Sequence, residues 1–198
     1  MKILMIIPAV GNVYGGPSKC VFELAQCLGN LDIEIDIITT NANGDTHLEV
    51  PLCNWINEVN YRIQYFPYVS FGDYKFSWSM TRWLFNHVTD YDVVQTNAIF
   101  SLTNIPAYWA CQWLKVPYIM TPHGMLEPWA LSYKAWKKRL FYQLLEKPAL
   151  NKAQAIQVLA SPEAENIKKL RVKSSLNVVP NGIHNQDINK SIDKEIFY

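Results

Sequence analysis

The stretch Gly11-Asn12-Val13-Tyr14-Gly15-Gly16-Pro17-Ser18 is where phosphate chemistry would first be sought. It nearly matches G-x-x-x-x-G-K-[ST], the loop whose backbone N–H groups cradle a nucleotide's phosphates. Pro17 stands where that loop needs its lysine, and the dinucleotide pattern G-x-G-x-x-G is absent as well. What remains is a glycine pair, which permits positive φ and removes side chains, followed by a proline suited to a first helical position. Such a junction offers free amides and the positive end of a helix dipole to an anion. It reads either as an anion site or as a plain turn.

A second group lies around Thr121-Pro122-His123-Gly124-Met125-Leu126. His123 follows directly on an expected strand and could work at the end of a sheet or serve as a structural residue. Asn97 follows another short expected strand and would reach the same edge, or form a turn. Glu127 is the nearest carboxylate, either a general base or a solvated loop residue. Trp129 could stack on a sugar face or pack. Lys134, Lys137, Lys138 and Arg139 cluster among Trp129, Tyr133, Trp136, Phe141 and Tyr142. Basic residues among aromatics can mark an interfacial face. The simpler expectation is a solvated basic face over a packed stripe of Trp136, Leu140 and Leu144. Ser161-Pro162-Glu163 reads as a helix cap. No Ser/His/Asp constellation, metal-ligand cluster or carboxylate pair stands out, so no metal is expected.

These residues need elements to hold them. Ile3 to Ile7 is a continuous apolar run closed by Pro8, the signature of a strand buried on both faces. Val21, Leu24, Ala25 and Leu28 recur at helical spacing within Pro17 to Leu28, with Gly29-Asn30 as its C-cap. Strands are then expected at Ile33–Ile38, Tyr61–Phe66, Asp92–Gln95, Pro117–Thr121, Ala155–Leu159 and Leu176–Val179. Helices are expected at Phe76–His87, Thr103–Leu114, Ala135–Leu150 and Pro162–Leu170. This alternation implies an α/β, doubly wound, mainly parallel sheet of Rossmann-like type, whose ligands bind at the C-terminal edge of its strands. Residues 41–60 and 67–75 are expected to be long irregular segments, and 184–198 a polar linker or tail.

Bulk properties exclude several classes. A chain of 198 residues with 49% hydrophobic content can bury a substantial core. A net charge of +1 gives no reason to expect nucleic acid. Cys20, Cys27, Cys53 and Cys111 show no C-x-x-C spacing, and are expected to be reduced, buried thiols of a cytoplasmic protein. No apolar run is long enough for a signal peptide or a membrane span.

Taken in order, "GGPSKCVFELAQCL", "FSWSMTRWLFNHVTDYDVVQTNAIFS", "TPHGMLEPWAL", "KKRLFYQLLEKPALNKAQAIQVLASPEAENI" and "VVPNGI" resemble the N-terminal domain of retaining glycosyltransferases of the GT-B fold, family 4. The resemblance implies transfer of a sugar from a nucleotide-sugar donor to a glycan or lipid-linked acceptor, with retention. It implies bacterial polysaccharide biosynthesis in the cytoplasm, at the inner face of the membrane through peripheral contact. Residues 1–183 would be the acceptor-side domain. Gly15 and Gly16 match the loop that approaches the donor phosphates, and His123 the histidine beside the transferred sugar. Asn97, Met125, Glu127 and Trp129 are expected on the acceptor side.

The chain stops about fifteen residues after Ile183, so the donor-binding C-terminal domain is expected to lie outside it, and these residues alone are expected to be inactive. His184 stands where many members have Asp, and Gln95 and Asn97 where many have histidines. Two other readings are a stand-alone glycan-binding module or subunit of a split transferase, and a nucleotide-dependent enzyme of another Rossmann-like class.

Overall fold

The computed structural model describes residues 1–72, 74–132 and 135–182, so the expected tail at 184–198 lies outside the described residues. In chain order the elements are β1 (Lys2–Ala9), α1 (Gly16–Gly29), β2 (Glu34–Thr40), β3 (Ala42–Asn43), β4 (Thr46–His47), β5 (Trp55–Asn57), β6 (Arg62–Phe66), β7 (Val69–Phe71) and β8 (Tyr74–Phe76). They continue with α2 (Trp78–His87), β9 (Val93–Asn97), α3 (Ile105–Leu114), β10 (Tyr118–Thr121), α4 (Pro128–Ser132) and α5 (Ala135–Phe141). A π-helical turn (Tyr142–Glu146), α6 (Lys147–Leu150), β11 (Ala155–Val158), α7 (Ser161–Lys169) and β12 (Ser175–Val178) complete the described part.

Eight strands form one sheet in the order β12-β11-β10-β9-β1-β2-β6-β5. All neighbours are parallel except β5, which runs antiparallel to β6. The expected doubly wound architecture is therefore present. Successive side chains of β1 alternate between two cores, as a pleated strand covered on both faces requires. Ile3, Met5 and Ile7 pack with Val21 and Ala25 of α1. Leu4 and Ile6 pack with Met80 and Leu84 of α2 and Tyr108 of α3. Each such side chain contributes about 1.5–3 kcal/mol by leaving water, which is why the apolar run was readable as a strand.

The expectations fail in four places. The irregular segments contain the β3–β4 and β7–β8 hairpins and the edge strand β5; runs of two or three residues are too short to show alternation. The expected helix at 135–150 is helical throughout but carries the π-helical turn just before Pro148. A proline inside a helix withholds the N–H that the carbonyl four residues back would accept, and a widened turn accommodates that loss. The stripe of Trp136, Leu140 and Leu144 is exposed, and the helix buries Phe141, Tyr142 and Glu146 instead. Finally, all four cysteines are free thiols, but only Cys111 is buried.

Near the start of β2, Asp36 is almost wholly buried. Arg62 donates to both its oxygens, at 2.8 and 2.6 Å, and the Tyr91 hydroxyl donates to Oδ2 at 2.7 Å. Burial, and then the bond to Asp36, push the Tyr91 phenol well above its ordinary value. Replacing Asp36 by Ala strands the buried Tyr91 hydroxyl and takes the partner from the part-exposed Arg62, so thermal or denaturant unfolding should show a loss of about 1–3 kcal/mol. Asp36 lies near the N-terminal end of β2, so the opposite, C-terminal edge should keep its geometry, visible as unchanged amide shifts for residues 97–101.

Candidate functional site

From β1 the chain winds outward through β2 to β6, then returns to β9 on the other side of β1 and winds outward through β12. The strand order reverses between β1 and β9, and at such a point the C-terminal edge is left as an open crevice. A pocket of about 220 Å³ lies there. Its wall is built from the end of β1 (Ile7 to Ala9), the turn into α1 (Tyr14, Pro17, Ser18), β8 (Tyr74, Lys75), the segment after β9 (Ala98 to Ser101) and Met125.

Gly15 has φ 63° and ψ −130°, a region that only glycine occupies easily. A Cβ on Gly15 or Gly16 would meet no atom within 4 Å, so packing inside the chain does not require either to be bare. Pro17 lies in the first turn of α1, and no side chain caps that helix. Among the described residues, then, no capping side chain covers the start of α1, and Tyr14, Pro17 and Ser18 on either side of the glycine pair line the pocket. Gly15 itself lines a neighbouring depression of about 330 Å³.

His123 follows β10 in a tight left-handed turn, with φ 52° at His123 and 75° at Gly124. Its Nε2 lies 3.0 Å from Oδ1 of Asn97, which is 2% exposed and donates from Nδ2 to the Ile6 carbonyl. Asn97 Oδ1 can only accept, so His123 Nε2 carries a hydrogen, and its Nδ1, when the ring is neutral, offers a lone pair. Burial pushes the ring's pKa down to about 4. The strained turn is clipped from beneath. Gly124 N–H donates to Glu163 Oε1 at 2.8 Å, and Leu159 N–H to Oε2 at 2.7 Å. Glu163 thus ties the His123 turn to the end of β11. The sequence suggested only a helix cap here; α7 starts after Ala160 with no side-chain cap, and Glu163 reaches back instead.

The pocket's other wall is also strained. Ala98 and Phe100 both have left-handed φ, 64° and 58°. Asn104 Nδ2 donates to the carbonyls of Asn97 and Ala98, at 2.9 and 3.0 Å. Phe100 N–H donates to Oε1 of Glu146 at 2.8 Å. Glu146 is fully buried in the π-helical turn, and its Oε2 has no hydrogen-bond partner among the described residues. Burial pushes its carboxyl up to about 8, against the opposing pull of Phe100 N–H and the nearby Tyr108 hydroxyl. Sequence reasoning missed Glu146. Its only signal was its place four residues after Tyr142 and just before Pro148.

The remaining candidates separate. Met125 lines the pocket and its sulfur accepts Ile99 N–H at 3.5 Å. Glu127 is half-buried and accepts from Asn166 Nδ2 at 2.8 Å. Trp129 is 74% exposed and does not line the pocket. Gly15, Gly16, Met125, Asn97 and His123 are thus brought to one edge, while Glu127 and Trp129 lie further along the loop.

The two perturbed groups act on stability in opposite pH windows. Glu146 keeps its proton up to about 8 in the folded chain against 4.5 ordinarily, so the folded state binds the extra proton and stability falls as pH rises through that window. Glu146→Gln keeps an acceptor for Phe100 N–H and cannot ionise. Relative to the parent it should gain of the order of a few kcal/mol above pH 8 and little below pH 5, read from melting curves across pH. His123 behaves conversely. Its folded value of about 4 against 6.5 makes stability complete above 6.5 and declining as pH falls toward 4. An NMR titration should find its ring neutral until about pH 4; a midpoint near 6.5 would contradict the buried geometry.

Among known sequence families, the model described as Glycosyltransferase Family 4 matches residues 14–187. No curated protein matches the chain. Among solved structures, sucrose-phosphate synthase from Thermosynechococcus elongatus superposes with a TM-score of 0.60 at 16% identity, over 93% of this chain and 49% of that one. HepE from Anabaena, solved with UDP and glucose, gives 0.55 at 15%, over 92% and 45%. MurG from Acinetobacter baumannii gives 0.53 at 12%, over 94% and 47%. At these identities the likeness is one of fold, and the chain spans about half the length of these proteins.

Proposed function

The chain belongs to glycosyltransferase family 4, and from that premise we propose that it is the acceptor-side half of a GT-B transferase. The reaction moves a sugar from a nucleotide-sugar donor to a glycan or lipid-linked acceptor, with retention, in the cytoplasm and without a metal. The observation that carries this reading is the pocket at the strand-order reversal, bordered by a helix N-terminus that opens on a glycine pair. A donor diphosphate approaching Gly15 and Gly16 finds no Cβ in its way and the positive end of α1. A nucleotide-sugar donor fits the HepE structures, which were solved with UDP and glucose and with UDP-glucose.

His123 supplies a neutral ring whose Nδ1 can accept a hydrogen bond from a sugar hydroxyl, while Asn97 fixes its orientation. A neutral imidazole avoids pairing with the donor's phosphates, so its contribution is positioning rather than charge. Met125 and the 98–101 segment give the pocket an apolar wall suited to a sugar's less polar face. Asn97 acts on the acceptor through His123, and Glu127 and Trp129 extend the acceptor surface along the loop.

The reading is tested by titrating the chain with UDP-glucose while recording amide spectra. Shifts should concentrate at Gly15, Gly16, Ser18 and residues 98–101, with affinity in the millimolar range because only half the site is present. Gly16→Val, whose side chain projects into the donor's approach, should abolish them with the melting temperature little changed. Substantial sugar transfer by the chain alone would overturn the assignment as a half-site. Shifts scattered away from the α1 junction would overturn the donor contact.

A further inference from the structure

We propose that the acceptor taken by the pocket at the strand reversal is a sugar acid, and that Lys75 selects it by pairing with the carboxylate. This rests on the pocket's being the acceptor side and deepens that reading to a substrate class. Among the described residues that line the pocket, Lys75 alone carries a charge. The rest of the wall is mostly apolar, with Ile7, Pro8, Phe100 and Met125, and has hydroxyls at Ser18 and Ser101. A half-buried cation in such a wall has lost part of its water and gains most from an anion brought to it. Elsewhere in the chain Lys2, Lys19 and Arg62 each pair with an Asp or Glu. Among the described residues, no carboxylate pairs with the Lys75 ammonium.

The lysine is held in place rather than left to wander. Its strand, β8, lies outside the main sheet but is anchored twice. Thr103 Oγ1 donates to the Lys75 carbonyl at 2.9 Å, and the neighbouring Tyr74 ring stacks on Phe141 with centroids 5.4 Å apart. The ammonium lies over two ring faces, 5.9 Å from the centroid of Tyr14 and 5.6 Å from that of Tyr68. Both rings are tied to the β3–β4 hairpin. The Tyr14 hydroxyl accepts Gly44 N–H at 3.1 Å, and the Tyr68 hydroxyl donates to the Thr46 carbonyl at 3.5 Å. Aromatic faces orient a cation without neutralising it, so its charge remains for a ligand. Charge and size then choose the anion. One ammonium balances one carboxylate, whereas a diphosphate brings at least two charges and finds no second cation among the described residues of this wall. The cavity, about 220 Å³, is smaller than the pockets of drug-sized ligands, which start at about 300 Å³, and suits a single sugar ring.

The test compares methyl glucuronide with methyl glucoside, which differ only in carrying a carboxylate or a hydroxymethyl group, by amide spectra of the full chain. The glucuronide should shift residues 74–76 and 98–101 and bind about tenfold tighter than the glucoside, and high salt should narrow the gap. Lys75→Met keeps the apolar stem and loses the charge, so it should bind the two alike at an unchanged melting temperature. Lys75→Arg should restore the preference. Four results would overturn the proposal: no shifts with either glycoside, equal binding of the two by the parent, a preference that survives in Lys75→Met, or tighter binding of glucose 6-phosphate than of the glucuronide, which would make the ligand a phosphate. UDP-glucose, titrated alongside, should still shift Gly15 and Gly16 in Lys75→Met. Loss of those shifts in this variant would assign the ammonium to the donor's diphosphate and also overturn the proposal. Their absence in the parent, with the glucuronide preference intact, would count against the donor contact alone.

Discussion

A single topological constraint organises this molecule. The chain leaves β1 in one direction and comes back beside it as β9 to wind away in the other. No connection passes over the edge between those two strands, so a crevice is left wherever the sheet is completed. Everything else follows from making that reversal stable. Because helices cover both faces, β1 must be apolar on both. Because the strands are parallel, their C-terminal ends fall on one edge. Segments distant in sequence, the α1 junction, residues 98–101 and the His123 turn, therefore converge on that edge.

Convergence alone would leave two strained loops free to relax. Ala98, Phe100 and His123 all sit in left-handed backbone, a conformation that persists only when neighbours over-determine it. Here the neighbours are buried polar side chains arriving from behind. Asn104 holds the carbonyls after β9, Glu146 holds the Phe100 amide, Asn97 holds the His123 ring and Glu163 holds the Gly124 amide. Glu146 sits deep enough to keep its proton, and one of its oxygens is unmatched among the described residues. That is a cost in stability accepted at a place where loop geometry matters.

The frame of this arrangement was legible in the sequence, and the clamps were not. β1, α1, β9 and β10 declare themselves through apolar runs, helical spacing and flanking prolines, signals that depend on neighbours along the chain. Placing His123 and Asn97 on one edge needed only the rule that parallel strands share it. Glu146 and Glu163 were opaque because their meaning lies in amides 46 and 39 residues away. The stripe of Trp136, Leu140 and Leu144 misled for a related reason. Amphipathic spacing says that a helix has an apolar side but not which of two apolar sides the core will take. Here the side bearing Phe141 and Tyr142 won, since the Phe141 ring reaches Tyr74 and Phe100.

The widened turn before Pro148 has a consequence for how this helix can change over time. One extra residue per turn rotates everything on its N-terminal side by about 100° relative to everything beyond it. The azimuth of Trp136 and Leu140 is therefore geared to that of Lys147 and Leu150 through a single inserted position. Loss of one residue between Tyr142 and Glu146 would leave both halves helical, yet swing the outward tryptophan sideways or pull the inward carboxyl off the Phe100 amide. Outer face and inner anchor thus form one inherited unit, and a length change there would have to be compensated at both ends at once.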